Sequence, residues 1–148
     1  MRTNLQIVTD HYAASARQDI AGMMAEVSPD VAWTEMAGFP CAGTWIGPEQ
    51  VIAKVFAVLG SEWEDYRFAL EKLVDGGEYI VGVGTYSGRN RKTGKVMQAR
   101  VTHVRQLAAG KIVAFEQITD TLLVAQAMQE RLKRPLFSGQ SVPSTRTA

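Results

Sequence analysis

Cysteine is almost absent: Cys41 is the only one in 148 residues, so no internal disulfide can staple the chain, and a reducing, cytoplasmic setting is expected. A catalytic thiol is not indicated either, because nothing in the sequence sets a histidine base beside it. Histidine is nearly as scarce, with only His11 and His103, and no His/Cys cluster has metal-ligand spacing, so no metal is expected. An excess of one charge is lacking too. The 16 Lys and Arg against 15 Asp and Glu leave a formal +1, without the clustered basic excess of a nucleic-acid binder, and the basic residues from Arg89 to Lys95 read as a solvated loop. No stretch approaches the roughly 18 uninterrupted apolar residues of a membrane span. The opening MRTNLQIVTDHYAAS has no basic region followed by an apolar run, so neither a signal peptide nor a membrane partner is expected. Gly82-x-Gly84 lacks the following helix of a dinucleotide site, and no Gly-x-Ser-x-Gly nucleophile turn occurs. No cofactor is expected, which leaves acid/base chemistry for any enzyme built on this chain.

What is present suits one well-packed unit. Hydrophobic residues make up 46% and charged residues 21%, near the globular average, and 148 residues can bury roughly 70% of the unfolded surface. Leu5, Val8, Tyr12 and Ser15 or Ala16 share one helical face over about 5–16, with Asn4 available as N-cap. Ile20, Met23, Met24 and Val27 predict a second short helix stopped at Ser28-Pro29-Asp30, and Val31 to Met36 alternates as a strand. After an irregular loop from Ala37 to Gly43, Gly47-Pro48-Glu49 starts a helix with Val51, Ile52, Val55, Phe56, Val58 and Leu59 as its apolar face, ending at Gly60. From Tyr66 the period changes to two. Tyr66–Asp75, Glu78–Ser87, Val96–Leu107 and Ile112–Thr119 read as an antiparallel meander joined by short turns. Gly82 and Gly84 interrupt the second of these strands, where they let a sheet bend or something approach closely. A last helix runs from Asp120-Thr121 to about Arg134, with Leu122, Ala125, Met128 and Leu132 on one face, and Pro135 ends it. The expectation is a single α+β domain over 1–134, a curved antiparallel sheet wrapped around three to four helices with an internal pocket, followed by a flexible tail at 135–148.

This order, together with Tyr12, Gln18-Asp19-Ile20, Trp33-Thr34-Glu35-Met36, Gly38-Phe39-Pro40, Trp45-Ile46-Gly47-Pro48-Glu49, His103-Val104, Gly110-Lys111-Ile112 and Phe115 to Thr121, resembles the cone-shaped fold of nuclear transport factor two, ketosteroid isomerase and the SnoaL-like polyketide cyclases. The resemblance covers roughly residues 5–130. It implies a pocket between the first helices and the concave sheet face, and a homodimer paired through the outer face. The SnoaL-like cyclases use an aspartate at the end of the last strand as acid/base, and Asp120 stands there. Glu35 is the carboxylate nearest the isomerase base, and Tyr12 resembles the isomerase oxyanion donor. Thr102 falls opposite the second oxyanion group, a protonated aspartate, with His103 beside it; this departure counts against steroid isomerase activity.

Each candidate has a plain structural alternative. Asp120 also makes a good N-cap for the helix behind it. Glu35, on the strand face of Val31 and Trp33, would equally suit a salt bridge to Arg100 or Arg105. His103 alternates with Val101, Arg105 and Leu107, a set that faces either the pocket or an outer interface, whereas His11 reads as exposed. Trp33, Trp45, Phe56, Phe115 and Met24 are pocket-lining or core residues, and Gln117 is grouped with them as a ligand contact. The expected function is a cofactor-independent acid/base enzyme of isomerase, cyclase or lyase type, acting on a small, largely apolar carbonyl compound. Asp120 would be the base, His103 and Glu35 the acid or orienting groups, and Tyr12 a donor to substrate oxygen. The alternatives are a non-catalytic binding domain for a hydrophobic small molecule and a purely structural or partner-binding domain.

Overall fold

Thr3 caps the first helix through a capping box, its hydroxyl accepting from Gln6 N at 3.2 Å while Thr3 N donates to Gln6 Oε1 at 2.8 Å. Asn4, the expected cap, instead donates to the carbonyl of Gly77 at 2.9 Å and ties α1 (Asn4–Ala16) to a sheet turn. The computed structural model describes residues 1–130; the expected end of the last helix beyond Glu130 and the tail at 135–148 lie outside the described residues. Asp19 caps α2 (Ile20–Met24), which is shorter than its periodicity predicts because Val27 already belongs to β1 (Val27–Glu35). Pro29 is tolerated inside β1 because the ladder to its neighbour slips between Val27 and Ala32, so the missing N–H costs no regular pairing. The loop at 37–42 leads into β2 (Gly43–Ile46).

The helical segment after Gly47 is α3 (Pro48–Val51), a π-helical turn (Ile52–Phe56) and α4 (Ala57–Glu62). The wider turn aligns Val51, Val55 and Leu59, spaced four apart, on the buried side, and rotates Ile52 outward, against its expected place on the apolar face. The meander consists of β3 (Trp63–Gly76), β4 (Tyr79–Asn90), β5 (Val96–Ala108) and β6 (Lys111–Thr119). All six strands form one curved, unclosed sheet in the order β2-β1-β6-β5-β4-β3, antiparallel throughout except for the β1–β6 pair. That single parallel pair arises because β1 returns beside the last strand of the meander. Helix α1 packs against β3 and β4, α4 packs against β3, and α5 (Thr121–Met128) covers β5.

Alternation decides what faces inward. On β5 the set Val101, His103, Arg105 and Leu107 is buried, while Thr102, Val104 and Gln106 lie half-buried on the other face. Two cross-strand rows follow from the register. Gly82, His103 and Gln117 lie side by side across β4, β5 and β6. Arg105, Phe115 and Trp33 lie side by side across β5, β6 and β1.

Asp120 caps α5, its Oδ1 accepting from Leu123 N at 3.2 Å. Replacing it by Ala is therefore expected to cost about 1 kcal/mol of stability, and by Asn only a small fraction of that, read from the urea midpoint at constant slope.

Candidate functional site

His103 from the first row, all of the second row and the inner side of α1 line a cavity of about 680 Å³, with Val55, Phe56 and Leu59 bounding it on the side of the π turn. Most of its deep wall is aromatic. Trp33 stacks on Phe115 at 3.8 Å between ring centroids, and Phe56 meets Trp33 edge-on at 5.9 Å. Pairs of this kind contribute about 0.5–1.5 kcal/mol each beyond area burial. Two ionisable groups of opposite sign interrupt that wall, Glu35 and Arg105, exposed by only 4% and 2%.

Arg105 lies over the rings of Tyr12 and Phe115, 4.3 and 4.9 Å from their centroids, and its Nη1 donates to Tyr12 Oη at 2.5 Å. Tyr12 Oη is 2.9 Å from His103 Nδ1, and Tyr86 Oη is 2.6 Å from His103 Nε2. The chain ends in Gln117. Met36 N can only donate, and it contacts Gln117 Oε1 at 3.3 Å, so the amide Nε2 faces Tyr86 and donates to its hydroxyl at 2.9 Å. Burial, with the charge of Arg105 adding to it, holds His103 well below the ordinary imidazole range, so the ring is neutral and carries one proton.

The position of that proton selects a hydroxyl. With the proton on Nδ1, His103 donates to Tyr12, Tyr86 donates to Nε2, and Tyr12 keeps its own O–H free for a ligand. With the proton on Nε2, His103 donates to Tyr86, and the Tyr12 proton is held by Nδ1. The three side chains thus form a short relay whose outer end is a donor hydroxyl at the cavity wall, with the Arg105 cation behind it.

Glu35 accepts from Trp33 Nε1 at 2.9 Å through Oε1, while its Oε2 is buried with no hydrogen-bond partner among the described residues. Burial raises its pKa to about 7, against the opposing pull of the indole N–H and the Arg105 charge. A carboxyl with that pKa changes protonation state near neutral pH. His11 is buried rather than exposed, because α1 turns that face toward the sheet. Its Nδ1–H donates to Met23 O at 2.8 Å, leaving Nε2 as an unpartnered acceptor, and burial lowers its pKa to about 3.

Of the residues expected at the site, Tyr12, Trp33, Glu35, Phe56, His103 and Phe115 line this cavity. Four others stand apart from it. Gln117 is buried behind Tyr86, Met24 packs half-buried against the core, and Trp45 donates to Cys41 O at 3.1 Å. Asp120 is exposed at its helix end, so it does not share a volume with Glu35 and His103. Arg105, Tyr86 and His11 were not expected in the wall. Alternation with His103 is the sequence signal for Arg105, and alternation with Gly82 and Gly84 is the signal for Tyr86. Among the described residues, no group of three or more His, Cys, Asp or Glu side chains could hold a metal ion. No helix there is long and apolar enough to cross a membrane.

A curved, unclosed sheet with α1 over its concave face and a cavity between them defines an α+β protein of the nuclear-transport-factor-two-like class. A SnoaL-like domain model matches residues 8–115, and the chain belongs to that family. It is similar to a solved NTF2-like protein from Burkholderia thailandensis, at 59% identity over 87% of this chain and 99% of that one, with a TM-score of 0.86. A second NTF2-like protein, of unknown function, from Burkholderia pseudomallei shares 30% identity over 87% of this chain and 99% of its own, with a TM-score of 0.80. TerC, co-crystallised with polyporic acid, has the same fold at 23% identity, covering 84% of this chain and 97% of its own, with a TM-score of 0.77. No match was found among curated proteins.

Gly82 explains how Tyr12 reaches the relay, since a Cβ at this position would stand 2.1 Å from Tyr12 Oη and 2.8 Å from its ring carbon Cζ. Gly82→Ala is expected to destabilise by roughly 1–3 kcal/mol through overpacking. Because part of the clash is with the hydroxyl, the double variant Tyr12→Phe/Gly82→Ala should cost less than the sum of the two single changes. A double-mutant cycle by urea denaturation reads this directly.

Proposed function

We propose that the protein is a cofactor-independent acid/base enzyme that removes and returns a proton on a carbon next to a carbonyl group. Glu35 acts as the base. Its carboxylate takes the proton, the C–H bond breaks, and the electron pair moves to the carbonyl oxygen, which Tyr12 stabilises with its O–H while Arg105 and His103 hold that tyrosine. Returning the proton to the same or another carbon gives the isomerase or cyclase type of outcome. The observation that carries this reading is a buried carboxyl with a pKa near neutrality in an aromatic cavity that also holds a tyrosine hydroxyl backed by a buried cation. Asp120 has no part in the step, because it is exposed and outside the cavity.

The test needs no knowledge of the natural substrate. In D₂O, 2-tetralone offers an enolisable, fused aromatic ketone of a size suited to the cavity, and exchange at the carbon next to the carbonyl is followed by NMR. The protein is expected to accelerate exchange with a rate that rises with pH through about 7 and then levels, as Glu35 ionises. Glu35→Gln should lower the rate by about 10²–10⁴-fold. Saturable binding of 2-tetralone without accelerated exchange would make the cavity a non-catalytic container. Stability gives an independent reading. The folded Glu35 keeps its proton up to about 7, whereas the unfolded side chain loses it near 4.5, so the unfolded state binds fewer protons in that window and Glu35 costs stability as pH rises through it. Glu35→Gln should therefore gain stability relative to the parent at pH 8 and much less at pH 4, measured by urea denaturation.

The same proposal includes a homodimer. Val81, Val83, Val104 and Ile118 lie on the outer sheet face, half-buried or exposed, with Ile118 exposed by 44%. Light scattering at micromolar concentration is expected to give twice the chain mass; the mass of a single chain would refute the pairing.

A further inference from the structure

Among the described residues Arg105 is a cation without a counter-ion: no carboxylate stands within ion-pair distance of it, its Nε is buried with no partner, and its one hydrogen bond runs from Nη1 to Tyr12. A guanidinium has five donor hydrogens, and leaving a buried one such as that on Nε without a partner is costly unless something else compensates. The rings of Tyr12 and Phe115 supply part of that compensation as π faces. They cannot accept the in-plane N–H bonds, which call for oxygen atoms arranged in the plane of the fork.

The other charged residues in the wall of this cavity are Glu35, Glu64, Asp65, Arg67 and Arg91. All but Glu35 are exposed, toward its mouth. Glu35 neither reaches Arg105 nor, when protonated, neutralises it. The stacked rings of Trp33 and Phe115 belong to the same wall and give it a flat aromatic surface. From these contacts we infer that the cavity selects planar ligands bearing one anionic oxygen group, a carboxylate or an enolate, whose oxygens take the unmatched N–H groups of Arg105 while the ring lies against Trp33 and Phe115. The inference deepens the function proposed above and rests on that reading for the role of Glu35, but its test is a binding measurement and does not require turnover. Arg105 becomes a specificity-determining residue: planar bidentate recognition is what a guanidinium offers and an ammonium does not.

The probes are 2-naphthoate and its neutral isostere 2-naphthamide, titrated by calorimetry at pH 6, where the naphthoate is ionised. The parent protein is expected to bind naphthoate about 10- to 100-fold more tightly than naphthamide, the range of a charged hydrogen bond made in a desolvated site. Arg105→Gln should bring the two affinities together, and Arg105→Lys should keep a reduced preference for the anion. If Arg105→Gln fails to fold by circular dichroism, the comparison of parent with Arg105→Lys decides the matter. Equal affinity of the parent for the two probes overturns the inference, as does no saturable binding of naphthoate at millimolar concentration or an anion preference undiminished in the folded Arg105 variants. Glu35→Gln separates this inference from the proposed function: it should retain the anion preference while losing proton exchange, so either claim can fail alone.

Discussion

The buried guanidinium of Arg105 is the constraint around which the interior is arranged. A cation that cannot lose its proton must find π faces, hydroxyls or anions wherever the sheet places it. Here it finds Tyr12 and Phe115, and through Phe115 the Trp33 stack. Its charge acts beyond contact. It adds to burial in keeping His11 and His103 neutral, and it works against burial at Glu35, holding that carboxyl nearer neutrality than desolvation alone would leave it. Removing the charge would therefore shift three titratable groups upward at once, with burial still the larger influence on each.

The fold supplies the geometry for this by register. His103 sits between Gly82 and Gln117, so one neighbour is a gap that admits the Tyr12 hydroxyl and the other is an amide fixed by Met36 N. Two residues along β5, Arg105 sits beside Phe115, which places the cation against an aromatic floor. The π turn aligns Val51, Val55 and Leu59 with the core and brings Phe56 to the cavity wall, work that an ordinary helix of the same length would share out differently. Sheet register, a missing side chain and a local change of helical pitch together place polar groups in a wall that is otherwise apolar.

Much of the fold was legible because it depends on periods. The change from 3.6 to 2 near Tyr66, the turn residues between strands and the Gly-Pro helix start are local signals with local causes, and the meander and helices follow from them. Pro29, read with Ser28 and Asp30 as the stop of the second helix, lies inside β1 instead, where the slipped β1–β6 ladder does not need its N–H. At the site, Glu35, Tyr12 and His103 were readable as chemistry-bearing residues on plausible faces. Which face of β5 turned inward could not be read from alternation, since both sets contain apolar and polar members, and Arg105 was hidden by that ambiguity. Asp120 illustrates the converse. An aspartate ahead of an apolar helical run satisfies the capping rule whether or not anything else is nearby, so its position in the sequence carried no information about the cavity.

The central claim is that this interior holds a carboxyl poised to exchange a proton near neutral pH, and the most direct measurement is the titration of that carboxyl itself. In protein labelled with ¹³C at the glutamate side-chain carboxyl, the Glu35 resonance is assigned by its loss in Glu35→Gln and followed against pH. The account predicts a midpoint near 7, set by burial against Arg105 and Trp33. A midpoint at the ordinary value of 4.5 would contradict it.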